Sequence, residues 1–126
     1  FAQVGLDYWN NYVEYILTSY VTMGGMTYGD GSGRYAGHCE VGEMWAYYLE
    51  SIMYQERYGG PVPQFGTSYW FCPQIFRYLD ERGMERSDFL EAMQADVTDI
   101  SALQGKLSLL NPSRSRMIEQ VFFRYR

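Results

Sequence analysis

Six of the fifteen residues in the segment 23–37 are glycine, at positions 24, 25, 29, 31, 33 and 37. Glycine inside a helix or strand costs roughly 0.5–1 kcal/mol relative to alanine, so this density excludes a continuous element and separates two units with a loop. The loop is expected to be long and mobile. Its Asp30-Gly31-Ser32-Gly33 run is similar to the start of a calcium loop, but Val41 stands twelfth from Asp30. A bidentate glutamate is needed there, which excludes calcium.

Before the loop, residues 7–21 read DYWNNYVEYILTSYV and place Tyr8, Trp9, Tyr12, Val13, Ile16, Leu17 and Tyr20 at helical spacing, with Asp7 as a first-turn acid. After it, a second helix is expected over residues 40–57, stopped by Gly59 and Gly60 with Pro61 and Pro63 beyond. The stretch PVPQFGTSYWFC is expected to be irregular and to bend back over the core through Phe65, Tyr69, Trp70 and Phe71.

Short helices follow. Pro73 suits the first turn of PQIFRYLDERG, which Gly83 closes, and Ser87 is expected to cap SDFLEAMQAD. Thr98 or Asp99 is expected to cap ISALQGKLSLL. An Asn111-Pro112-Ser113 turn then leads into RSRMIEQVFFRYR, where Met117, Ile118, Val121, Phe122 and Tyr125 share a face. The pattern predicts an all-α, irregular multi-helix domain over residues 1–126.

With 47% apolar and 20% charged residues, the chain has the composition of a globular protein. Its formal charge of -5 argues against nucleic-acid binding, which needs a surplus of lysine and arginine. Thirteen tyrosines, seven phenylalanines and three tryptophans favour large packed interfaces. No apolar run approaches the roughly 18 residues needed to cross a bilayer. Cys39 and Cys72 are equally compatible with one disulfide and with two thiols. Apolar periodicity is under way at once through Phe1, Val4, Tyr8 and Trp9 without a capping residue. The sequence is therefore expected to be cut from a longer chain.

The helix expected over residues 40–57 gathers Val41, Met44, Trp45, Tyr48, Leu49 and Ile52 on one face, with Glu40, Glu43 and Glu50 on or near the other. On periodicity alone the acids form a solvated face. Tyr47 and Tyr54 lie beside Glu43 and Glu50, however, and a face holding two tyrosines is often covered. A covered Glu43 would need a proton, a cation or a metal.

His38, the single histidine, is expected in the loop before that helix, and His38, Cys39 and Glu40 match no established ligand spacing. One histidine cannot build a His-Glu-x-x-His zinc helix. Nor does any elbow motif frame Ser32, Ser51 or Cys72 as the nucleophile of a triad. Glu40, Glu43, Glu50 and Asp80 could be nominated as a glycosidase pair, but a count of acids carries no specificity.

The segments FAQVGLDYWNNYVEYIL and HCEVGEMWAYYLE, with the Gly/Tyr-rich connection between them, resemble the region downstream of the zinc-binding helix in Bacteroidetes-type zinc-binding metallopeptidases, which are similar to gluzincins. The resemblance implies that the chain is the C-terminal helical subdomain of such an enzyme. Glu43, in Gly42-Glu43-Met44-Trp45-Ala46, would be its third zinc ligand, with Glu40 as runner-up. It further implies an upstream His-Glu-x-x-His segment, zinc in the complete protein but no tight zinc binding by this chain alone, a peptide or protein substrate, and an extracytoplasmic location. The alternative is a non-catalytic helical module that binds a protein or a glycan through its tyrosine-rich surfaces.

Overall fold

The structure is a computed structural model that describes residues 2–24, 28–60, 70–94 and 96–125, with side chains from Leu6 onward. The described residues form α1 (Ala2–Thr22), α2 (Ala36–Tyr58), α3 (Ile75–Glu81), α4 (Arg86–Ala92), α5 (Ile100–Leu110) and α6 (Ser115–Tyr125), with a 3-10 turn at Pro112–Arg114 before α6. None of them is in a strand, so the all-α class holds. No described helix is long and apolar enough to cross a membrane. Phe65 and Tyr69, expected to fold back over the core, lie outside the described residues.

Local signals set most boundaries. Gly59, at φ 69°, ends α2 with its N–H donating to the Gln55 carbonyl. The Asp99 carboxylate accepts from Ala102 N at 2.7 Å and so caps α5, the second of the two expected candidates. Ser87 does not cap α4. Glu85 does, in a reciprocal capping box with Asp88, because a chain that offers an acid at both ends of the first turn satisfies two orphan N–H groups at once.

The main core is built around α2. Its Val41, Met44, Tyr48 and Ile52 are buried against Ile75, Phe76 and Leu79 of α3, Phe89 of α4, Leu103 and Leu107 of α5, and Ile118 and Phe122 of α6. Gly37 lets the start of α2 lie on the Thr98–Asp99 backbone, since a Cβ there would sit 2.5 Å from the Thr98 carbonyl oxygen. A side chain would force the two apart.

A second, smaller cluster holds α1 and the glycine segment. Tyr15 and Cys39 are buried in it, with Tyr12, Tyr28 and Trp70 packed around them. Tyr15 Oη donates to the Tyr28 carbonyl at 2.8 Å and accepts from Gly31 N, while Trp70 Nε1 donates to the same carbonyl at 2.9 Å. Gly31 has φ 84°, and a Cβ there would sit 2.5 Å from the Trp70 ring. The part of the loop expected to be mobile is thus pinned from Tyr28 to Gly31.

Of the seven α1 residues expected at helical spacing, three face solvent: Trp9, Leu17 and Tyr20 are exposed, at 60%, 61% and 58%. Tyr8 and Tyr12 face inward as half-buried residues, beside the buried Tyr15 and Ser19, which the expected set did not include. The surface beneath α1 offers a carboxylate and backbone carbonyls, and hydroxyl donors satisfy these where aliphatic side chains would leave them unpaired.

Two substitutions test this division of faces by urea denaturation. Phe76→Ala should cost about 3–5 kcal/mol, as for other buried phenylalanines. Leu17→Ser should stay within about 0.5 kcal/mol, as at an ordinary surface position. An equal cost at both positions would show that the outward side of α1 is buried.

Candidate metal-ligand site

Helix α2 turns about 100° per residue, so the face that buries Val41 and Tyr48 points Glu43 away from the main core, and α1 covers it there. Tyr8 and Tyr12 lie one turn apart on α1, and their side chains come within 3.5 Å of where a Cβ would stand on Gly42. From that position the Tyr12 hydroxyl donates a short hydrogen bond to Glu43 Oε1. Tyr8 Oη donates to the His38 carbonyl at 2.9 Å. Glu43 is half-buried, so the cover expected from its neighbouring tyrosines is present, although the covering helix is α1.

Among the described residues, a neutral phenol donates to this carboxylate and no ion pair reaches it. Helix α1 has no lysine or arginine, and the one arginine of α2 is Arg57 in its last turn. The ion pairs among the described residues join Arg77 to Glu81, Arg86 to Glu56, and Lys106 to Asp96. None reaches Glu43. Burial pushes the Tyr8 phenol up to about 12, with Cys39 and Glu43 adding to the rise. Burial and the Glu43 hydrogen bond hold the Tyr12 phenol well above the usual range. Cys39, fully buried, is pushed from about 9 to about 12 by burial and then by the charges of Glu43 and Glu40.

His38 is corrected from loop to helix. It is the third residue of α2 and is 9% exposed. Its ring lies between Tyr8 at 4.9 Å and Tyr35 at 5.3 Å, with Nε2 at 3.5 Å from Asn11 Nδ2. Burial lowers its pKa below the ordinary 6.5 against a smaller opposing pull from Asp99, so the ring is neutral at pH 7 and offers Glu43 no counter-charge.

The other candidates disperse. Glu40 is half-buried on the side of α2 from which its charge reaches Cys72 as well as Cys39, whereas the Glu43 charge acts on the α1 phenols. Glu50 and Tyr54 are exposed, and Tyr47 is half-buried 6.2 Å from the Phe71 ring. Asp80 accepts from Tyr48 Oη at 2.9 Å in the main core region. Ser51 Oγ donates to the Tyr48 carbonyl, and Ser32 is turned onto Asp30. Cys39 and Cys72 are free thiols, and Cys72 donates to Gln74 Oε1 at 3.2 Å.

Among the described residues no three histidine, cysteine or acidic side chains come together as a metal site. One half-buried carboxylate bonded by a phenol is what these residues would offer a metal. Sequence reasoning missed Tyr12 as the partner of the acid and Tyr8 as the partner of the His38 carbonyl. The signal was present in the spacing of Tyr8, Tyr12, Tyr15 and Ser19, which lines one helix face with hydroxyls.

Comparison with protein-family models, with curated proteins and with solved structures gave no match. The site therefore rests on its own chemistry and on the resemblance described above.

That chemistry gives the pH dependence. The depressed pKa of His38 contributes stability that is complete above pH 6.5 and lost as pH falls through the lower folded value. The raised Cys39 pKa contributes stability that is complete below about pH 9 and lost as pH rises toward about 12. Thermal melts should show both declines, with His38→Gln flattening the acid limb and Cys39→Ala the alkaline one. Unchanged limbs in these variants would remove the assignments.

Proposed function

We propose that this chain is the C-terminal helical part of a zinc-dependent metallopeptidase similar to gluzincins, and that Glu43 is its third zinc ligand. One observation carries the proposal. The Glu43 carboxylate is half-buried against α1, bonded by a phenol, and without a cation among the described residues. A half-buried negative charge in such surroundings favours a counter-charge, and a divalent ion shared with two imidazoles would supply it.

The chain holds one histidine, so on this proposal the two imidazoles and the general base belong to an upstream His-Glu-x-x-His segment. Zinc held there would supply a lowered pKa for bound water and polarisation of a peptide carbonyl. The part played by this chain is to hold Glu43 on a core-anchored helix, to screen it from water with α1, and to keep the Tyr12 hydroxyl on one of its oxygens. A peptide or protein substrate and a cell-surface or periplasmic location follow from the same resemblance.

A second function is favoured by a different observation. The outward side of α1 exposes Leu6, Trp9, Leu17, Tyr20 and Val21, as a non-catalytic module that binds a protein or a glycan through that side would do. Glu43 would then be only a structural acceptor for Tyr12.

Reading the codons upstream of Phe1 separates the two. A His-Glu-x-x-His sequence is expected there, and a stop codon or unrelated sequence would overturn the metallopeptidase. The purified 126 residues should show no peptidase activity. Cleavage that a chelator abolishes would contradict this.

A further inference from the structure

We propose that the outward stripe of α1 is the contact through which two copies of this chain pair, antiparallel and about a two-fold axis at Val13. This rests on the reading of that side as a protein-binding surface and names a second copy as the protein. It is independent of what Glu43 holds.

Helix α1 is seated with its more apolar side outward. At about 100° per residue, Trp9, Tyr20, Val13, Leu6 and Leu17 fall within an arc of about 80°. Four of the five are more than half exposed, and Val13 at the centre is half-buried. The hydroxyls of Tyr8, Tyr12 and Tyr15 are turned the other way, each onto an acceptor beneath the helix. Rolling α1 over to hide the stripe would leave those three acceptors unpaired. Trp9 lies flat on Tyr12, with ring centroids 5.9 Å apart and planes 7° from parallel, so its indole is presented in a set orientation.

Charge and register select the occupant. A surface helix that enters lipid carries lysine and arginine beside its apolar face, whereas α1 has neither and the chain has a formal charge of -5. The stripe itself is uncharged, so two copies bring no like charges together at its centre. When two stripes run antiparallel with Val13 on Val13, Trp9 meets Leu17 of the second copy and Leu6 meets its Tyr20. Each large ring then faces an aliphatic side chain, as interdigitating layers require. A parallel pair would set Trp9 on Trp9 and Tyr20 on Tyr20. The antiparallel register therefore has the self-complementarity that a two-fold contact demands. Leu6, Trp9, Leu17, Tyr20 and Val21 expose roughly 500 Å² per copy. A pair buries about 1,000 Å², the size at which specific interfaces begin. Dilute chains are therefore monomers, and concentrated ones pair.

Sedimentation equilibrium of the 126-residue chain, from about 1 μM to about 1 mM, tests the pairing. The average mass should rise with concentration toward twice that of one chain. Leu17→Glu and Trp9→Lys should each weaken pairing roughly 100-fold, beyond detection in this range, while helix content is kept. Mixed in equal amounts, the two variants should pair again. The antiparallel register sets the new acid of one chain against the new base of the other and keeps one native contact between Trp9 and Leu17. Phe123→Ser, which removes an exposed ring on α6, should change nothing.

A monomer at every concentration would overturn the pairing and leave the surface to a different protein or a glycan. Equal weakening by Phe123→Ser would mark non-specific association, and failure of the mixed variants to pair would remove the antiparallel register. Either result overturns the proposal. If the chain stays monomeric and binds phosphatidylcholine vesicles, with a blue shift of tryptophan emission that Trp9→Lys abolishes, the stripe faces lipid. The pairing and the protein-binding reading then fall together.

Discussion

The meeting of Tyr48, Phe76 and Phe89 is the contact on which the remaining architecture depends. Their ring centroids stand 5.1–5.5 Å apart, at tilted or edge-on angles that suit aromatic quadrupoles. Three helices, α2, α3 and α4, are joined at that point. Each such pair contributes on the order of 0.5–1.5 kcal/mol beyond the area it buries, and the Tyr48 hydroxyl finds Asp80 at the edge of the core. With one face of α2 fixed in this way, the orientation of its opposite side is no longer free. Glu43 faces α1 because Tyr48 cannot turn.

What lies over Glu43 was selected by hydrogen bonding more than by hydrophobicity. Helix α1 carries enough apolar residues to have buried an aliphatic stripe, yet it buries phenols and a serine hydroxyl. A carbonyl or carboxylate left without a donor beneath a helix costs about 1–3 kcal/mol. Burying a leucine or valine returns a similar amount. Three phenols, those of Tyr8, Tyr12 and Tyr15, each meet such an acceptor and settle the choice. The exposed aliphatic and indole groups of α1 are the other side of that outcome.

Much of the fold is legible in the sequence because much of it is local. The 3.6-residue period of residues 40–57, the Asp99 cap, the stops at Gly59 and Gly83 and the apolar face of α6 depend on neighbours within a turn or two, and each stands where the spacing puts it. Most failures are non-local, the exception being the α4 cap, where Glu85 stands in place of Ser87. Hydrophobic period alone cannot say which of two adjoining faces of α1 meets hydrogen-bond acceptors supplied by another helix. Nor can it say that His38 continues the helix backward, because that turns on how Gly37 fits against Thr98, some sixty residues away in the chain. The acid at the candidate site was visible as an amphipathic anomaly. Its phenolic partner was visible only as a row of hydroxyl side chains at Tyr8, Tyr12, Tyr15 and Ser19, which does not say which of them meets the acid.

The bond from the Trp70 indole to the Tyr28 carbonyl spans 42 positions of sequence, and it closes a large ring of polypeptide containing all of α2. Closing such a ring costs chain entropy that local helix formation does not. The main core draws buried residues from α2 to α6, whereas α1 and the glycine segment are held by a smaller cluster around Tyr15 and Cys39. A layer with few buried contacts is the part of a fold that opens most readily in native-state fluctuations. Access to Glu43 depends on that layer more than on the scaffold beneath.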